Sequence, residues 1–370
     1  MISGRTDDIL AHIDNGYVPG MFMAAYKVTA STTAISPTLT RDNTHDIPAN
    51  HIDMTSIHFE ASQIPGSELT PGGVIPAHLK FDILNYSDLP AITEKKDVTS
   101  TQQLDYVYRM VIVYNNTNYI YGPLFAATLV KKRFTKKTNV EFDDVLFILG
   151  NRNCDLAGYS QSPLDSVAAY IMQDAGFTAF HSEEIYSGAN YYSENQINAR
   201  QALSYILQIN GLFLRPYTYG YQTNQNWSYI ASPLKSYSSS LLTLDEKYVF
   251  DYEYNTKIGY CRDAFAYPKG ADHSWMDEYT YCVDDNPLIT QGNRGAYSNL
   301  LPTNMSSNSI SRRGFTFTIP MMPFFELGDY ILVYYKSGVS SLSVKNIIIS
   351  RIEWDGGMFM KITEASAYGE

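Results

Sequence analysis

"ELGDYILVYYKSGVSSLSVKNIIISRIEWDGGMFMKITEASAYGE" (residues 326–370) decides the fold class of this chain. Three of its segments, YILVYYKS, SVKNIIISRIEWD and MFMKITEASA, concentrate β-branched and aromatic residues or alternate them with polar ones, as strands do. The first two are joined by SGVSS, which contains Gly338. The last two are joined by Asp355-Gly356-Gly357, whose glycines supply the positive φ of a tight hairpin. Leu327-Gly328-Asp329 reads as a second tight turn, just ahead of the first strand. The stretch carries almost no side chain suited to catalysis. Its local rules are those of a sheet closing on itself and hiding edges that would otherwise pair without control.

The same pattern extends upstream. After a short amphipathic segment with Ile9, Leu10 and Ile13 on one side, strands are predicted in MFMAAYKVTA, HIDMTSIHFEAS, AHLKFDILNY, YVYRMVIVYNN and IYGPLFAATLVKKRF. Asn115-Asn116-Thr117-Asn118 links two of them as a hairpin. Near Gly150 the period changes from 2 to 3.6. SPLDSVAAYIMQDAGF predicts a helix with Ser162 as cap, Pro163 at the first position and Gly176 as stop; NARQALSYILQINGLF predicts a second, ended by Gly211. Each helix is followed by a short apolar strand. The segmentation that follows is 1–19 as an N-terminal segment, 20–158 as a first antiparallel β domain, a closed barrel or sandwich rather than an open sheet, and 159–235 as an inserted α+β domain. Residues 236–260 with 320–370 form a second barrel, and 261–319 is an irregular peripheral insert. The fold class is mainly β with an α+β insert.

Composition narrows the function. The chain has 370 residues and 45% hydrophobic content, enough for two or three cores without disulfides or metal. Lys and Arg number 27 against 38 Asp and Glu, a net charge of −11, which argues against a dedicated nucleic-acid binder because such a protein needs a basic footprint. Cys154, Cys261 and Cys282 form no CxxC pair and read as reduced thiols. The first residues lack the charge and apolar run of a signal peptide, and no apolar stretch is long enough to span a membrane as a helix. The one strong deviation is 31 tyrosines, which suit strands and wet interfaces.

Candidate chemistry is sparse. His45, Asp46, His51, Asp53, His58 and Glu60 have metal-ligand types, but they straddle a loop and a strand whose alternate residues face opposite ways; solvated loop histidines are the plainer reading. Glu183-Glu184 and Asp284-Asp285 read as solvated charge rather than an acid/base pair. The aromatics of 217–230 suit sugar stacking, but a subunit interface or a loop packed on the barrel is the plainer reading. Lys131, Lys132, Arg133, Lys136 and Lys137 are the one dense basic cluster and read as a docking site for an acidic neighbour or as a solvated turn. No catalytic residue, cofactor or metal is predicted.

In their order along the chain, GSELTPGGVIPAHLKFDILN, YGPLFAATLVKKRFTKKTNVEFDDVLFIL, ARQALSYILQINGLFLRPYTYG, DDNPLI, MMPFFELGDYILVYYKSG and IEWDGGMFMKITEASAYGE resemble segments of the bacteriophage tail hub or baseplate hub family, which is related to the hubs of contractile phages and injection machines. The resemblance implies two tube-type barrels side by side and three subunits forming a six-barrel ring. Such a ring joins a sixfold tail tube to a threefold spike or fibre and is a conduit through which DNA passes without specific binding. It also implies a homotrimer in the virion, made in the host cytoplasm, with the tail tube, spike or fibre and tape measure proteins as partners. Two other classes compete: an adhesin binding host-surface carbohydrate through 217–230, and a cell-wall hydrolase. The hydrolase reading is the weaker, since lytic domains are usually appended beyond the second barrel.

Overall fold

The computed structural model describes residues 3–62, 72–132, 136–159, 161–177, 179–181, 185, 191, 196–216, 227–233, 242–254, 263–268, 280–283, 285–290, 294–295, 314–336 and 341–364. The chain opens with helix α1 (Ser3–Asp14). Seven strands follow: β1 (Gly20–Thr29), β2 (Thr38–Arg41), β3 (His58–Ser62), β4 (His78–Leu84), β5 (Tyr106–Tyr114), β6 (Thr117–Lys132) and β7 (Lys137–Asp144). They lie in the order β3-β4-β7-β6-β5-β1-β2, every pair antiparallel. The β5–β6 hairpin turns at Asn115 and Asn116, whose φ of 46° and 64° are the left-handed values a two-residue hairpin requires.

Residues 47–52 close this set into a ring. Ile47 exchanges both backbone hydrogen bonds with Met23 of β1 at 3.0 Å, and Ile52 bridges to Ile83 of β4. The segment holding the His/Asp motif therefore completes a barrel. Strand alternation sorts the side chains: Met110, Ile112, Phe125 and Phe142 fill the interior, while Val107, Leu124 and Ala126 point outward.

That outward face is covered by the central part of the chain. Here α2 (Phe147–Asn151), β8 (Asn153–Asp155), α3 (Leu164–Asp174), β9 (Ala179–His181), β10 (Gln196–Asn198), α4 (Ala199–Ile209), β11 (Leu212–Pro216) and β12 (Ser228–Pro233) follow in turn. β11-β12-β9 form a three-stranded layer, and β8 pairs with β10. Both helices stop at the expected glycines, Gly176 at φ 90° and Gly211 at φ 65°. The start of α3 differs from expectation. Pro163 occupies the cap position and Ser162 lies outside it, because proline's fixed φ suits helix entry without a side-chain bond. Asn198 caps α4, accepting from Arg200 and Gln201 N–H.

The remaining strands are β13 (Leu242–Leu244), β14 (Asp251–Tyr254), β15 (Asp263–Ala266), β16 (Thr280–Val283), β17 (Phe315–Pro320), β18 (Tyr330–Lys336), β19 (Leu342–Trp354) and β20 (Phe359–Glu364). β15 and β16 form a separate parallel pair. The others lie in the order β14-β17-β20-β19, with β18 on β19 and β13 on β18. β17 falls largely in the stretch read as irregular; its FTFTI alternation nevertheless buries Phe315, Phe317 and Ile319. The two sets of strands join at a seam where β19 pairs antiparallel with β3, so one hydrogen-bonded sheet runs from β14 to β2. Their interiors share one core. α1 is seated on it through buried Ile9, and Asp14 ties α1 to Lys247 at 2.8 Å.

Candidate functional site

Alternation gives the seam a polar outer face. Across it runs the register Asp251–Thr318–Lys361–Glu353–Glu60–His78–Asp143, from β14 to β7. A second row is Glu253–Thr316–Thr363–Arg351–Ser62, and a third is His58–Lys80–Glu141. The intervening rows, such as Phe317–Ile362–Ile352–Ala61, are buried. Acidic groups outnumber lysine and arginine on this face. At the seam itself Glu60 and Glu353 stand opposite one another, a pairing that repels. Arg351 offsets the repulsion by reaching Glu60 at 3.0 Å and Glu353 at 3.1 Å. His58 reaches Asp355 across the seam at 2.6 Å, and His78 meets Asp143 at 2.7 Å, a bond that raises the His78 pKa against the opposing effect of burial.

The turns singled out in the sequence sit at structural joints. Gly356 and Gly357 both have φ of 74°, and a side chain on Gly356 would place its Cβ 2.0 Å from the Met54 carbonyl oxygen of the first set. Asp355-Gly356-Gly357 thus locks the two strand sets together as well as turning the chain. Gly328, at φ 85°, donates its N–H to Ile349 O at 2.7 Å. Asp329 is buried and accepts from Glu326 N–H at 2.9 Å; burial, with Glu326 nearby, pushes its carboxyl up to about 7.

Lys131, Lys132 and Lys136 are exposed at the β6–β7 end, with no carboxylate partner among the described residues, and Lys132 lies 5.7 Å from the Tyr86 ring centre. Arg133 lies outside the described residues. Lys137 departs from the group by pairing with Asp53. Register places Lys131 opposite Asn139, on the same side of β7 as Glu141 and Asp143, so Lys131 borders the charged face.

The His/Asp motif does not converge. Asp46 accepts from Arg41 and from Ala25 N–H, His51 Nδ1 lies 3.0 Å from Leu84 O, and Asp53 caps Thr55. Among the described residues no three potential ligands gather in metal-binding geometry. Of the 217–230 aromatics, Trp227 and Tyr229 are buried, donating to Pro37 O and to Asp144; residues 217–226 lie outside the described residues. So do Glu183, Glu184, Asp284 and Cys261, while Asp285 is exposed. Burial pushes the Cys154 thiol up to about 11, an inert state.

One group of residues carried no sequence signal. Asp144, Arg215 and Glu326, from three separate parts of the chain, line a cavity of about 30 Å³ together with Ser62 and Tyr121. Burial pushes Asp144 up to about 7 despite the hydrogen bonds from Tyr229 and Leu146.

No known family model matches the sequence, and no curated protein matches it significantly. Solved structures do. A tail protein from Neisseria meningitidis MC58 aligns over 92% of this chain and 96% of its own, with TM-score 0.55 at 9% identity. The 43 kDa tail protein of prophage MuSo2 from Shewanella oneidensis aligns over 94% of this chain and 97% of its own, with TM-score 0.52 at 10% identity. At such identity the likeness is one of architecture, and it spans nearly the whole of each chain. This protein is therefore built on the fold of phage-type tail proteins, as the ordered segments of its sequence predict.

Proposed function

We propose that this protein is a structural subunit of a phage tail tip, a homotrimeric hub whose ring joins the sixfold tail tube to a threefold spike or fibre and lets DNA pass. The observation that carries the reading is the continuous charged face from β14 to β7, set on a fold shared with tail proteins. A sheet two barrels wide and rich in carboxylates suits a channel wall, because DNA phosphates are repelled by it and do not stick. The net charge of −11 per chain acts in the same sense. On this reading Lys131, Lys132 and Lys136 meet a neighbouring subunit or an acidic tail component at the rim, tape measure and tube proteins dock on the ring, and the protein resides in the virion.

Light scattering of the purified protein, with low-resolution images, tests the reading. A mass of three chains and a ring with a central hole are expected. A monomer at every concentration, or a ring whose lumen is positive, would sink it. The carbohydrate-binding alternative loses support from the burial of Trp227 and Tyr229.

A further inference from the structure

Asp144 ends β7 at a place where three parts of the chain meet. Its carboxylate Oδ1 accepts from the Tyr229 hydroxyl of β12 and, at 3.2 Å, from Leu146 N–H. Tyr229 is itself buried, its ring edge-on to Phe177 with centroids 5.3 Å apart. One carboxyl therefore ties the three-stranded layer to the large sheet. The groups around it are few in kind. Asp143 neighbours it on β7, and Arg200 of α4 is within electrostatic reach. Arg215 of β11, Glu326 and Tyr121 of β6 share the cavity. Arg200 donates to Phe147 O at 3.3 Å and Arg215 to Leu327 O at 3.0 Å, and Arg215 and Glu326 also lie within electrostatic reach of Asp329. Two neutral donors do not replace the hydration of a buried anion, so the neutral carboxyl is the favoured form in the closed structure. The cavity beside it, about 30 Å³, is large enough to hold water.

We propose that Asp144 is a proton-dependent latch: its neutral carboxyl holds the β11-β12-β9 layer on the large sheet, and ionisation draws water into the cavity and loosens that layer. The direction follows from linkage. Its pKa is raised from an ordinary 3.8 to about 7, so between those values the folded chain keeps a proton that the unfolded chain releases. The latch is strongest below about pH 4, weakens as pH rises towards 7, and is weakest above that.

The test uses the full chain as wild type, Asp144→Asn and Tyr229→Phe, with amide exchange of 212–216 and 228–233 followed by mass spectrometry from pH 5 to 8 and corrected for intrinsic rates. Wild-type protection should fall more than tenfold across that range, while Asp144→Asn, permanently neutral and still able to accept from Tyr229, should hold it constant. Tyr229→Phe removes a donor that favours the anion, so its transition should move to higher pH. Flat wild-type protection, an unchanged slope in Asp144→Asn, or an unmoved transition in Tyr229→Phe would each overturn the latch. The readout is internal to one chain, so failure of the ring proposal leaves it standing, and the reverse.

Discussion

The two strand sets share one core but are completed by different forces. In the first, residues 47–52 bridge β1 to β4 through backbone hydrogen bonds, and Asp46 and Asp53 fix the ends of the bridge. In the second, β13 covers part of β18 with a short ladder, and beyond it β14 and β18 share no ladder among the described residues. Aromatic rings fill the space between them: Tyr252 and Tyr335 lie 4.8 Å apart, and Phe317 lies 5.6 Å from Tyr335. A closure made of hydrogen bonds is directional and depends on a few polar atoms. A closure made of buried rings depends on area and shape and tolerates conservative exchange. The seam turn at 355–357 serves both, because it rests on Met54 of the first set while ending β19 of the second.

Breaking that shared turn should have the largest effect. Gly356→Val adds a backbone clash to a strained φ and should cost about 3 kcal/mol or more. Gly357→Val meets open space, so only the conformational cost, about 1 kcal/mol, remains. Thermal melting of the two variants separates packing from backbone strain; equal shifts would remove the Met54 contact from the account.

Next in size is the aromatic closure. Tyr252 is half-buried among Phe315, Phe317 and Tyr335, so Tyr252→Ala should cost about 2 kcal/mol in urea unfolding. Tyr252→Phe should retain most of that stability if area is what matters there.

The polar closure should prove sensitive to acid instead. Lys137 and then Thr55 hold the Asp53 carboxyl below the usual carboxylate range. A depressed folded pKa contributes stability that is present above the unfolded value, near 4, and lost as pH falls through the folded one. Asp53→Asn still caps Thr55 but loses the charge that pairs with Lys137, so it should cost about 0.5 kcal/mol at pH 7 and nothing once wild-type Asp53 is protonated. A variant indistinguishable from wild type at pH 7 would mean that the backbone bridges alone close the first barrel.

The smallest effect belongs to the charged face. His78 titrates above its ordinary value, so its pairing with Asp143 stabilises the fold below about pH 6.5 and ceases to do so as pH rises through the folded value. Asp143→Asn should return the His78 NMR titration towards the ordinary value while changing stability by about 0.5 kcal/mol or less. An unshifted titration would show that Asp143 does not govern His78.

Much of this architecture was legible residue by residue. The Asn115-Asn116 hairpin, the Asp355-Gly356-Gly357 turn, the glycine stops of α3 and α4 and the alternation of β18, β19 and β20 obey rules that act over a few positions, where composition alone restricts φ or chooses a period. The same rules missed β17, because polar residues and turn formers crowd the sequence just before it. Tertiary structure alone decided the rest. His58 and Asp355 are 297 positions apart, and nothing local tells β3 to pair with β19 or residues 47–52 to close a barrel. Nor does the pair Asp143-Asp144 announce that the first carboxylate will meet a histidine on an open face while its neighbour is buried against Tyr229. Alternation sends the two side chains to opposite sides of β7, but what waits on each side is set by packing between distant segments, and that packing gives one aspartate to the surface and the other to the interior.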